Sequence, residues 1–100
     1  MSRRRDLNFE IQYTRAAEKF FRQHEDTRVQ YEEAIAELLA GDHPERVDVK
    51  KIRGKRSDYF RIRLGDYRVV YAVIDGKIIV VATLLAGSRG DVYKKMGGLR

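Results

Sequence analysis

No cysteine occurs in the 100 residues, which removes disulfides, thiolate metal sites and a cysteine nucleophile together. The two histidines, His24 and His43, stand apart at no metal-ligand spacing, so they read as a helix-face and a loop residue, and no metal or cofactor is expected. Gly87, Gly90, Gly97 and Gly98 match no phosphate-binding loop. The one proline, Pro44, falls in a connection. No apolar run approaches the length of a membrane span. The segment Ser2-Arg3-Arg4-Arg5-Asp6 leads into an alternating pattern rather than the apolar core of a signal peptide. These absences point to a cytoplasmic protein with no membrane partner. Repeats, linkers and low-complexity segments are also lacking, so residues 1–100 are expected to form a single domain.

What the chain has in excess is positive charge. Lysine and arginine number 21 against 15 acidic residues, for a formal charge of +6 and a pI near 9.8. That balance suits nucleic acid, an anionic surface or an acidic protein. Taken alone it decides little, because many basic surfaces are only solvated. Position decides more. Lys50, Lys51, Arg53, Lys55 and Arg56 form a basic run that leads straight into a strand bearing Arg61 and Arg63. Such a run suits a loop that tracks phosphates as well as it suits a solvated one.

Residues 59–93 organise the chain. Three alternating apolar runs lie there, separated by Gly65-Asp66 and Asp75-Gly76. Both dipeptides read as two-residue hairpin turns in which glycine supplies a positive φ. Counting back from the first turn pairs Leu64 with Tyr67, Arg63 with Arg68, Ile62 with Val69 and Arg61 with Val70. Counting from the second pairs Arg68 with Thr83. Because side chains alternate between faces, one face collects Phe60, Ile62, Leu64, Tyr67, Val69, Tyr71 and Val73, then Ile78, Val80, Ala82, Leu84 and Ala86. The opposite face carries Arg61, Arg63 and Arg68 at one end. Toward its other end lie Val70, Ala72, Ile74, Ile79 and Val81, an apolar patch that calls for a covering partner. Arg89 and Tyr93 follow the last strand.

Ahead of this meander, Leu7, Phe9, Ile11 and Tyr13 alternate as a half-buried strand. Thr14 then caps a short amphipathic helix bearing Ala16, Ala17, Phe20, Phe21 and His24. Thr27 and Gln30 have the spacing of a capping box, which starts a second helix there. Its stripe is Tyr31, Ala34, Ile35, Leu38 and Leu39, and Gly41 ends it. Val47 and Val49 form at most a short strand, and residues from Lys94 onward read as a frayed basic tail. The expected fold is α+β: an N-terminal strand and an antiparallel helical hairpin packed on one face of a mostly antiparallel four-stranded sheet.

Like charges directly opposite each other weaken a sheet by roughly 0.2–1 kcal/mol, so the arginine cluster is a poor stabiliser and a good holder of polyanions. Guanidinium presents a planar fork of donors to phosphate oxygens, and a tyrosine ring can support an unstacked base. If the 2′-hydroxyl of RNA is the nucleophile, the protein needs only to align it, stabilise the developing charge and protonate the leaving oxygen. Guanidinium is a poor proton acceptor.

The segments Phe60-Arg61-Ile62-Arg63-Leu64-Gly65-Asp66-Tyr67-Arg68-Val69-Val70-Tyr71 and Ser88-Arg89-Gly90-Asp91-Val92-Tyr93-Lys94 resemble the RelE family of type II toxins, within the RelE/ParE superfamily. The resemblance covers nearly the whole chain. It implies a ribosome-dependent endoribonuclease, an mRNA interferase that cleaves mRNA in the ribosomal A site without metal, by attack of the 2′-hydroxyl. It also implies a RelB-like antitoxin, acidic and helical, with operator DNA reached only through that antitoxin. Carried over by position, Arg68 is the arginine that stabilises the transition-state phosphate, Arg89 assists the leaving group and Tyr93 orients the substrate. Arg61 and Arg63 stand where well-studied members carry lysines, one of them proposed as the base. The base is then another group, such as Lys94 or Lys95, or positioning dominates, or activity is lower. Lys50, Lys51, Arg53, Lys55, Arg56, Lys94 and Lys95 are the expected contacts to RNA and to 16S ribosomal RNA. Two alternatives stand beside this reading: a ParE-like inhibitor of DNA gyrase without nuclease activity, and a non-catalytic module that binds nucleic acid or antitoxin.

Overall fold

A computed structural model describes residues 9–53 and 58–96. Leu7 of the expected first strand, Lys55 and Arg56 of the basic run, and the last four residues of the expected tail lie outside the described residues. The elements are β1 (Phe9–Tyr13), α1 (Arg15–Arg22), α2 (Glu25–Ala40), a 3-10 turn (Pro44–Arg46), β2 (Val49–Arg53), β3 (Asp58–Leu64), β4 (Tyr67–Asp75), β5 (Ile79–Ser88) and α3 (Arg89–Met96). One sheet of five strands runs in the order β1-β5-β4-β3-β2, with only β1 and β5 parallel. The α+β class is as expected, and the sheet has one strand more.

That extra strand is β2. It escapes an alternation test because Val49 packs into the core on one face and Ile52 into a second cluster on the other. With one apolar anchor on each face, no period of two appears. β1 joins beside β5, and Thr14 caps α1 as expected, its hydroxyl accepting the Ala17 N–H at 3.2 Å. α2 begins two residues before the expected capping box. Glu25 and Asp26 occupy its first turn, where carboxylates complement the helix dipole, and Thr27 is buried inside the helix. Gly41 closes it, donating to the Glu37 carbonyl.

The α1–α2 hairpin covers one sheet face. Ala17, Phe21, Tyr31 and Ile35 meet Ile62, Val69, Tyr71, Val81 and Ala86 there. Phe21 stacks on Tyr31 at 5.8 Å, and the Tyr31 hydroxyl reaches the Thr83 hydroxyl at 2.7 Å in the interior. At the edge of this layer Tyr13 donates to Glu32, which also pairs with Arg28 at 3.2 Å.

The first hairpin has the expected register throughout, from Leu64–Tyr67 to Arg61–Val70. Gly65 takes φ +62° in its turn. The second does not. Gly76 lies outside the left-handed region, and a three-residue loop over 76–78 replaces the tight turn, so Asp75 pairs with Ile79. This places Val81 and Thr83 on the core face, where Val80 and Ala82 were expected. A bulge between the Val70 and Tyr71 pairs then skips Leu84 and returns Ala86 to the core, leaving Arg68 opposite Gly87 rather than Thr83. β5 carries apolar residues on both faces, with Val81 and Ala86 in the core and Leu85 under the helix that follows, so alternation could not fix its register.

Residues 89–96 form a helix, which takes in the first three residues of the expected frayed tail. α3 packs Val92 and Met96 on Val70, with Ile52, Tyr59 and Leu85 around them. The expected exposed patch is reduced: α3 buries Val70, the register of β5 turns Ile79 and Val81 to the other face, and Ile74, 56% exposed, remains open near the β4–β5 loop.

Candidate nucleic-acid interface

Directly opposed residues of antiparallel strands share a face. In one row across the sheet Lys50 faces Arg61, which faces Val70. In the next, Arg63 faces Arg68, which faces Gly87. Four cations from three strands thus lie on one face, and α3 crosses that same face over Val70.

The arginines differ in surroundings. Arg63 is exposed, while Arg61 and Arg68 are half-buried, and the Nε of each is buried without a hydrogen-bond partner. Arg68 folds back over the first hairpin, its Nη1 donating to the carbonyls of Gly65 and Tyr67, each at 3.2 Å. A buried donor left unpaired costs about 1–3 kcal/mol. Two such donors among neighbouring cations favour an incoming acceptor that rearranges these side chains.

Arg89 and Tyr93 are set by α3. The Ser88 hydroxyl accepts the Asp91 N–H at 3.3 Å and caps the helix. Arg89 and Tyr93, one turn apart, then project together, with the guanidinium carbon 5.8 Å from the ring centre and Tyr93 53% exposed. Contacts of this type are worth about 0.5–1 kcal/mol at exposed sites, enough to bias the pair toward one arrangement.

The other expected contacts divide. Lys50 joins the arginine face. Lys51 and Arg53 project from the opposite face, Lys51 pairing with Asp58 at 3.2 Å. Lys94 is exposed on α3, and Lys95 turns toward α1. Lys50 therefore stands out among the described lysines in a way that the basic run did not reveal. Its signal is positional: it becomes visible only once β2 is paired with β3. The helix carrying Arg89 and Tyr93 did have a sequence signal, the Ser88-x-x-Asp91 cap followed by Val92 and Met96 four residues apart. No helix among the described residues is long and apolar enough to cross a membrane.

The comparisons agree with this architecture. The family described as ParE toxin of type II toxin-antitoxin system, parDE, matches residues 11–90. A chain in the crystal structure of the RelB-RelE antitoxin-toxin complex from Methanococcus jannaschii is similar in fold, with a TM-score of 0.54 and 22% identity over 84% of this chain and 96% of that one. No curated protein sequence matches significantly. The chain belongs to the ParE toxin family of type II toxin-antitoxin systems, within the RelE/ParE superfamily.

Proposed function

We propose that this toxin is a ribosome-dependent mRNA endonuclease that cleaves in the A site by metal-independent attack of the 2′-hydroxyl. The observation that carries the reading is the placement of Lys50, Arg61, Arg63 and Arg68 on one sheet face, with the Arg89–Tyr93 pair on the helix that crosses it. Structural stability gives no reason to oppose Arg63 and Arg68; a scissile phosphate does. In this reading Arg68 stabilises the charge that develops on the phosphate, Arg61 and Arg63 hold the adjoining backbone, and Arg89 assists departure of the 5′ oxygen. Tyr93 supports a base. Lys50 is the group in the row suited to exchanging a proton with the 2′-hydroxyl, a task that guanidinium performs poorly.

An acidic, helical antitoxin fits the same face by charge, and the exposed Ile74 extends its footing. Contact with operator DNA would come through that antitoxin. The ribosome would meet Lys51, Arg53, Lys94 and Lys95 from the flanks. The family description favours a second reading, inhibition of DNA gyrase without cleavage. Primer extension on messages from a cell-free translation reaction separates the two. New ends within codons that require ribosomes support the nuclease; intact message with inhibited supercoiling supports the gyrase reading.

A further inference from the structure

A cleft of about 320 Å³ opens between α1 and α3, at the end of β5 where β1 no longer pairs with it. Its size lies at the lower end of the range for small-ligand sites, roughly 300–1,000 Å³. It is distinct from the arginine face yet adjacent to it. Gly87 on its floor is the direct partner of Arg68, and Tyr67 in its wall immediately precedes Arg68. α3 divides the two: Arg89 and Tyr93 project from one flank, Asp91 and Lys95 from the other, each pair one turn apart.

Three rings form the wall. Phe20 and His24 stack at 4.2 Å with planes 19° apart, and Tyr67 meets Phe20 edge-on at 5.2 Å. Lys19 and Lys95 flank the opening from opposite helices. Neither lysine has an ion-pair partner among the described residues. Gln23, Ser88 and Asp91 add short polar groups. A ring surface, two free cations and a polar edge together fit a nucleotide: the base rests against the rings, its edge meets the polar groups and its phosphate meets a lysine. Asp91 supplies the one carboxylate of that lining and accepts hydrogen bonds only. It therefore favours a base with adjacent N–H donors, as on the Watson–Crick edge of guanine.

We propose that this cleft is a subsite for one unstacked nucleotide of the bound RNA, with a preference for guanine set by Asp91. The inference rests on the RNA reading of the arginine face, and its test is separate from that of cleavage. The full chain, labelled with nitrogen-15, is titrated with guanosine 5′-monophosphate, uridine 5′-monophosphate and inorganic phosphate. The guanine nucleotide should shift the Gly87, Ser88 and Asp91 amides and the Gln23 side-chain amide saturably, and the uridine nucleotide should bind more weakly. Phosphate alone should leave these signals in place. His24→Ala removes no helix-capping side-chain bond and should weaken the guanine nucleotide by about fivefold or more. Asp91→Asn should narrow the difference between the two nucleotides.

Shifts confined to Arg61, Arg63, Arg68 and their neighbours would overturn the subsite. So would identical responses to phosphate, unchanged affinity in His24→Ala, or cleft signals that answer only to a protein partner. A guanine response without message cleavage would leave the subsite standing and remove the nuclease reading. Cleavage without a cleft response would do the reverse.

Discussion

Removing hydroxyls from the interior tests whether β5 adopts the register set by its three-residue loop. Tyr31 and Thr83 are both at 0% exposure, and their hydroxyls are 2.7 Å apart. Tyr31→Phe leaves the Thr83 hydroxyl without that partner, and Thr83→Val does the same to Tyr31, so each should cost about 1–3 kcal/mol. Replacing both with apolar groups of similar shape removes the orphan. Tyr31→Phe/Thr83→Val should then be more stable than the sum of the single effects predicts, by about 1 kcal/mol or more. Urea denaturation read by circular dichroism measures this, with a midpoint shift on the order of 1 M for each single variant and an unchanged slope. In the register counted from a tight second turn, Thr83 would sit beside Arg68 on the opposite face and would have no coupling to Tyr31. Effects that add to within about 0.5 kcal/mol would refute the register set by the three-residue loop and the core placement of Thr83.

Other perturbations follow from the same structure. Burial raises the proton affinity of Tyr31, and the Thr83 hydrogen bond offsets part of the rise; burial also pushes Tyr71 up to about 12. Unfolded tyrosine titrates near 10, so the stability from protonated Tyr31 is intact below that pH and declines above it by about 1.4 kcal/mol per pH unit; urea midpoints between pH 9 and 11 check the sign. Gly65→Ala should cost about 1–2 kcal/mol because φ is +62° there, whereas Gly76→Ala, outside that region and meeting only the Ile78 carbonyl at 3.6 Å, should be tolerated in the same assay. Arg63→Thr removes the opposed charge and should gain roughly 0.2–1 kcal/mol while lowering toxicity in a growth assay. Val92→Ala loosens the seat of α3 on Val70 and should reduce activity by displacing Arg89 and Tyr93, visible as increased amide exchange in α3 with the main core still protected.

Legibility in the sequence depended on how many constraints each segment carried. The first hairpin was readable residue by residue, because a glycine turn and a one-sided apolar pattern on β3 specify the same pairing. β5 was not, since Val80, Val81, Ala82 and Leu84 offer apolar side chains to both faces, so that one extra residue in the turn exchanges them and a bulge exchanges them back. The start of α2 was misread because Thr27 has capping chemistry but serves as a buried contact, while acidic residues open the helix. At the candidate site, Arg61, Arg63 and Arg68 were placed on one face by strand periodicity. The addition of Lys50 needed a long-range pairing that the Val-Lys-Lys-Ile pattern conceals. The terminal helix was overlooked despite its Ser88-x-x-Asp91 cap, because its lysines leave only Val92 and Met96 to mark a buried side. The aromatic cleft was missed for a related reason: Tyr67 and His24 each look like ordinary packing until α3 is set beside them.

The most direct measurement of the central claim is primer extension on messages from a cell-free translation reaction, with wild type compared against Arg68→Ala and Tyr93→Phe. The arginine-face account predicts new ends inside codons that require ribosomes, abolished by Arg68→Ala and weakened by Tyr93→Phe. Intact messages with undisturbed translation, or cleavage that persists in Arg68→Ala, would contradict it.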